Sequence, residues 1–291
     1  MLWNPFLRMI PGVMGRSFVQ AQHITQTRKN AKRFLLGCTA AVIGAAGLQY
    51  NLKNLTAACE QKNSPKNEPE LVDIQNLQKY NRNWDGRHPK EGEQKPKAIR
   101  YIILVRHGQY KDKETKDSNA VLTLKGRQQA RILAQKILDT WKPTSLIVSD
   151  MTRAQQTMEI LLEKLPKDIP LTTMKELREG RPCQPIPPSS SGLFQKSVVE
   201  ADGARIDKAF NRIFYRAPVE QEHHSYEVVV CHANVIRYFV CKALQIPTEA
   251  WLRISLPHCS LTVIAIHPSG SVSLRTLGNT HYLPPTLITT S

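Results

Sequence analysis

The sequence predicts a three-layer α/β/α sandwich with a mostly parallel central sheet, preceded by an N-terminal membrane segment and a linker. Three observations predict it. From Ala98 onward, short β-rich runs alternate with stretches of helical periodicity, the pattern that puts helices on both faces of a parallel sheet. Ahead of them lies Phe34–Tyr50, an uncharged and mostly apolar run. Between the two, residues 51–97 are polar and aperiodic, as linkers are.

The N-terminal elements follow from charge. Of the 291 residues, 40 are Lys or Arg and 24 Asp or Glu, a net charge of +16. Seven of the basic residues and none of the acids fall in residues 1–59. Such an acid-free, Arg-bearing start is the composition of a mitochondrial targeting segment, assigned to 1–33. A spanning helix needs about 20 apolar residues, with about 17 as a lower limit. Residues 34–50 sit at that limit and read as a transmembrane helix, because a core helix would show a polar face and a secretory signal would begin earlier. Beyond the N-terminus the positive charge is diffuse. A nucleic-acid binder concentrates it, so no nucleic-acid partner is expected. The six cysteines form no metal-ligand spacing and read as reduced thiols.

One island interrupts the linker, "YNRNWD" at Tyr80–Asp85. An exposed indole finds an apolar pocket, either on its own domain or on a neighbouring subunit.

The α/β domain, 98–291, then reads element by element. "YIILV" is a strand. Leu122–Leu138 is a helix with Thr123 placed to cap it. Ser145–Asp150 is a strand, Thr152–Leu165 a helix, Asp202–Ala217 a helix, Tyr226–His232 a strand and Asn234–Leu244 a helix. "SLTVIAIHP" and "SVSLRTLG" close the chain as a hairpin around Pro268-Ser269-Gly270. In such sheets ligands bind at the carboxyl ends of the strands. Arg106-His107-Gly108 ends the first strand, Ser149-Asp150 the second with Arg153 just beyond, and Cys231-His232 another. One rim thus collects two Arg and two His. Adjacent strand residues face opposite ways, so Arg106 and His107 converge only if the chain turns at Gly108.

With these motifs in view ("LVRHGQ", "LTLKGRQQA", "SDMTRAQQT", "LREG", "CHANVIR"), the chain resembles the histidine phosphatase superfamily, phosphoglycerate-mutase-like branch, and within it the mitochondrial Ser/Thr protein phosphatases. The resemblance implies a phosphoglycerate-mutase-like catalytic domain over 98–291 and a membrane-anchored protein phosphatase acting through phosphohistidine. His107 is then the nucleophile, since a neutral imidazole can attack phosphorus and carry the phosphoryl group. Two flanking guanidiniums disfavour a second positive charge and help keep it neutral. Arg106 and Arg153 match phosphate oxygens with bidentate donors. His232 offers another donor, at a helix start whose N–H groups suit an anion. "ELREG" offers Glu176 and Glu179 as proton donor to the leaving alkoxide, and the superfamily pattern maps onto Glu179. Gly126, Gln129, Ala154 and Thr157 match the pattern as packing and capping positions. No cofactor and no metal are called for.

The expected partners are phosphorylated protein substrates and a membrane, met through the N-terminal helix. The expected place is the mitochondrion, with the outer membrane favoured over the inner. A homo-oligomer is also expected, built on a dimeric core with weaker higher assembly through Trp84. The family's linker motif is Trp-Asp-x-Asn-Trp-Asp, and Tyr80 and Asn81 replace its first two residues. The alternatives are a small-molecule phosphatase or mutase-type enzyme, and a catalytically weak mitochondrial scaffold. A mutase must exclude water, and the Pro/Ser-rich Arg181–Ser197 gives little material for a closed lid.

Overall fold

The computed structural model describes residues 80–189 and 192–290. The targeting segment, the membrane helix and the linker up to residue 79 lie outside the described residues. No helix among the described residues is long and apolar enough to cross a membrane.

A six-stranded sheet organises the body, built from β1 (Arg100–Arg106), β2 (Ser145–Ser149), β3 (Leu171–Met174), β4 (Ser225–Cys231), β5 (Leu261–Ile266) and β6 (Val272–Asn279), in the order β3-β2-β4-β1-β5-β6. The first three pairings in that order are parallel, whereas β5 lies antiparallel to β1 and β6 antiparallel to β5. The central strands are near-continuous apolar runs because helices bury both faces. Ile102 and Leu104 pack on one side with α3 (Lys196–Ile213) and α4 (Ala233–Ala243). Ile103 and Val105 pack on the other with α1 (Leu124–Thr140) and α2 (Thr152–Leu162). That alternation gives three layers.

The Thr123 hydroxyl caps α1, accepting from Gly126 N at 3.0 Å. Helix α3 starts at Lys196, six residues before the expected Asp202, and keeps Gly203 inside it because a Cβ there would lie 2.6 Å from the Pro182 carbonyl. The sequence reading lacked β3, a four-residue edge strand with three exposed residues and so no burial pattern.

The described end of the linker, Tyr80–Lys97, makes hydrogen bonds to the α/β body. Trp84 packs against the core beside Phe210 and donates from Nε1 to the Gly270 carbonyl at 2.8 Å. Asp85 accepts from Arg216 N at 2.8 Å and from its Nη2 at 2.7 Å, both side chains being nearly inaccessible (2% and 1%). Tyr80 Oη donates to Gly270 O and accepts from Val272 N. Gly270 has φ +82°, and a Cβ there would meet the Arg82 carbonyl at 2.1 Å, so glycine is required. Of the two pockets open to Trp84, the one it occupies is in its own chain.

Candidate active site

Register builds the site. Arg106 pairs with Cys231 in adjacent parallel strands, so the next residues, His107 and His232, emerge side by side with ring centroids 5.1 Å apart. At Gly108 the chain passes α1 so closely that a Cβ would lie 2.7 Å from the Gly126 carbonyl, and one on Gly126 would lie 2.0 Å from that of Gln109. Two glycines therefore let the nucleophile loop press on the helix. Thr157 Oγ1 and Gln129 Oε1 accept from the N–H groups of Gly108 and Gln109 at 3.1 and 2.9 Å.

His107 is buried, and its tautomer is set. Nδ1 lies 2.9 Å from the Gly108 carbonyl, which only accepts, so Nδ1 carries the proton. Nε2 is left with its lone pair, which accepts from Arg153 Nε at 3.1 Å. Burial, then the neighbouring His232, Arg153 and Arg106, hold this imidazole well below its ordinary pKa, so it is neutral at physiological pH. Burial and the same two guanidiniums do likewise to His232. His232 Nε2 meets the Ser149 hydroxyl at 2.9 Å, while its buried Nδ1 has no hydrogen-bond partner.

Arg153 opens α2, lies 3.5 Å from Asp117 and rests 4.6 Å from the centre of the Tyr110 ring. Arg106 is buried, and desolvation pushes its guanidinium down to about 10. It donates to the Leu256 carbonyl at 2.6 Å and to His258 Nε2 at 3.1 Å.

The two carboxylates of "ELREG" part company. Glu176 turns to Arg212 and Lys208, at 3.1 and 3.7 Å. Glu179 turns to the rim, where Oε1 accepts from Gly180 N and from Asn234 N in the first turn of α4, both at 3.2 Å. Burial raises its pKa against the pull of Arg153 and the Gly180 N–H. Arg205 holds its loop, donating to the carbonyls of Glu176, Arg178 and Glu179 at 3.0, 2.6 and 3.2 Å. Arg178 ties the same loop to Asp150 at 2.7 Å.

The structure thus brings Arg106, His107, Arg153, Glu179 and His232 to one rim. Sequence reasoning missed Asp117, Tyr110, Arg205 and His258. The third imidazole, His258, stands with its ring centroid 5.6 Å from that of His107. It precedes an antiparallel strand, whose beginning reaches the rim where the parallel strands end. Beside the site opens a cavity of about 440 Å³, lined among others by Tyr110, Lys111, Lys113, His258 and Thr290. No cluster of His, Cys, Asp and Glu able to hold a metal occurs among the described residues.

The profile of the histidine phosphatase superfamily (branch 1) matches residues 102–182 and 196–280. The chain belongs to that superfamily. It is 43% identical over 234 residues to the mitochondrial serine/threonine-protein phosphatase Pgam5 of Drosophila grimshawi, covering 72% of this chain and 80% of that one. It is 41% identical over 227 residues to the protein of the same description in Xenopus tropicalis, covering 71% and 81%. Among solved structures, a phosphoglycerate mutase from Plasmodium falciparum is 32% identical, with a TM-score of 0.45, over 65% of this chain and 96% of that one.

Proposed function

We propose that the chain is a mitochondrial protein Ser/Thr phosphatase, anchored through residues 34–50, that hydrolyses phosphomonoesters by way of phosphohistidine on His107. The observation that carries this reading is the lone pair of a buried, neutral imidazole facing a guanidinium. A phosphoryl group entering there draws Arg153 and Arg106 onto its oxygens, and the lone pair freed on Nε2 attacks phosphorus. We take the Ser149 hydroxyl to donate to His232 Nε2, which leaves the proton on the unpartnered Nδ1 as a donor for another oxygen. Glu179 hands its proton to the departing serine or threonine oxygen, then takes one from the water that releases phosphate. The raised carboxyl pKa supports that role.

The names of the relatives support a protein substrate and the mitochondrion. The domain scheme (1–33 targeting, 34–50 membrane, then a linker and the catalytic domain) rests on composition. The outer membrane is the favoured location. A dimeric core remains the reading for assembly. Higher assembly through Trp84 would require Tyr80–Lys97 to exchange between copies, because the indole is engaged within its own chain.

The test is full-length protein given a phosphoserine peptide and 3-phosphoglycerate side by side, with acid- and base-quenched samples analysed for phosphohistidine. Hydrolysis of the peptide with an acid-labile, base-stable adduct at His107 is expected. Turnover without any adduct, or isomerisation of phosphoglycerate in place of peptide hydrolysis, would overturn the reading.

A further inference from the structure

Hydrogen-bond chains from the C-terminal segment reach Arg106 on one side of His107 and Gln109 on the other. A guanidinium only donates, so in the 3.1 Å contact between Arg106 Nη2 and His258 Nε2 the imidazole must accept, with its proton on Nδ1. Nδ1 faces Thr289, with Oγ1 at 3.0 Å and the carbonyl oxygen at 3.2 Å. The His258 N–H donates to that same carbonyl at 2.9 Å. The Gln129 amide, wholly buried, donates to Thr289 Oγ1 at 2.8 Å and to the Leu287 carbonyl at 2.6 Å. Its oxygen accepts from Gln109 N, two residues past His107. One short tail therefore ends two hydrogen-bond chains, Thr289–His258–Arg106 and Thr289–Gln129–Gln109.

We propose that Thr289 and His258 are positioning residues for the phosphoryl-binding arginine: the tail fixes the His258 tautomer, and that tautomer holds Arg106 in place. Had Nε2 carried the proton, two donors would face each other across 3.1 Å. Without the tail, His258 can take either tautomer, and Arg106 Nη2 loses the fixed acceptor at His258 while Nη1 keeps the Leu256 carbonyl. The inference rests on the phosphatase reading, because what is positioned is a phosphate-binding group.

The experiment uses the full-length chain, with kcat/KM on a phosphoserine peptide and inhibition by orthovanadate as readouts. His258→Leu and deletion of residues 288–291 should each lower kcat/KM on the order of tenfold to a hundredfold, the cost of a misplaced binding group. Both should weaken vanadate inhibition in parallel. His258→Gln, which can accept from Arg106 and donate to Thr289, should recover most of the loss. A merely structural role would give no such rescue. The deletion should cost little further in His258→Leu, where the chain is already broken, and should cost clearly more in His258→Gln, where it is restored. A truncated protein with wild-type kcat/KM and vanadate affinity, or losses that multiply independently, would overturn the proposal. If His258→Leu fails to fold, the truncation with and without His258→Gln decides alone. An inactive wild type that also fails to bind vanadate would count against the phosphatase reading, a result distinct from an active wild type indifferent to its tail.

Discussion

At the scale of single residues, chemistry follows from where protons reside. Nδ1 of His107 is committed to a carbonyl, so in the proposed mechanism attack falls to Nε2. His107→Ala should leave the fold intact and hydrolysis below a tenth of wild type, measured on purified protein of unchanged Tm. Glu179 carries a pKa raised by burial, and as an acid it acts only while protonated. Activity on a phosphoserine peptide should therefore decline as pH rises through that raised value. Nitrophenyl phosphate, whose leaving group needs no proton, should show no such alkaline limb. Glu179→Gln should cost roughly 10²–10⁴-fold on the peptide and far less on nitrophenyl phosphate. Equal losses on the two substrates would remove Glu179 from the role.

At the scale of elements, one segment that reads as a connection turns out to be structure. Tyr80–Lys97 lacks periodicity, yet its Asp85 enters a buried pair with Arg216. Burial pushes the Asp85 carboxyl up, but the Arg216 hydrogen bonds outweigh it and hold the pKa below its ordinary value. Asp85→Ala strands a buried guanidinium and should cost about 3–5 kcal/mol in denaturant unfolding. It should also expose Tyr80–Lys97 to proteolysis. A loss under about 1 kcal/mol, as for an exposed pair, would show the pair to be peripheral. The strands that carry the site were legible because their apolar runs end abruptly in Arg and His, and because ligand groups gather at carboxyl ends. His258 was not legible by that rule, since β5 runs the other way and brings its beginning to the rim. Arg205 was visible only as one residue of the predicted helix Asp202–Ala217. Nothing in a helical Arg announces that it grips three carbonyls of a loop some 25 residues upstream. The resemblance alone chose Glu179 over Glu176, since nothing local in "ELREG" shows that adjacent turns point the two to different partners.

At the scale of the whole molecule, the active site concentrates positive charge around imidazoles that must stay neutral, and the fold bears the consequence. His107, His232 and His258 are 2%, 0% and 3% exposed. Burial lowers all three pKa values, with Arg106 and Arg153 adding to it, and His258 falls to about 3. In the unfolded chain each titrates near 6.5. Below that pH the unfolded state binds protons that the folded state refuses, so stability rises with pH there and is lost as pH falls. From pH 6.5 to 5.5 each histidine should remove roughly 1 kcal/mol, about 3 kcal/mol together. That is a large share of the 5–15 kcal/mol that holds a typical domain. Asp85 acts in the same direction but only below about pH 4, where its unfolded carboxylate begins to take up protons. Glu179 works the other way, because a carboxyl whose pKa burial raises gains stability as pH falls through that value, so the loss in the mildly acidic window is the histidine loss less the Glu179 gain. Denaturant unfolding at pH 7.0, 6.5, 6.0 and 5.5 should trace that net loss. His258→Gln, which removes one titrating ring while keeping its hydrogen bonds, should recover about 1 kcal/mol of that loss. A slope unchanged by His258→Gln would mean that His258 accepts a proton in the folded protein, where its contact with Arg106 requires the Nε2 lone pair.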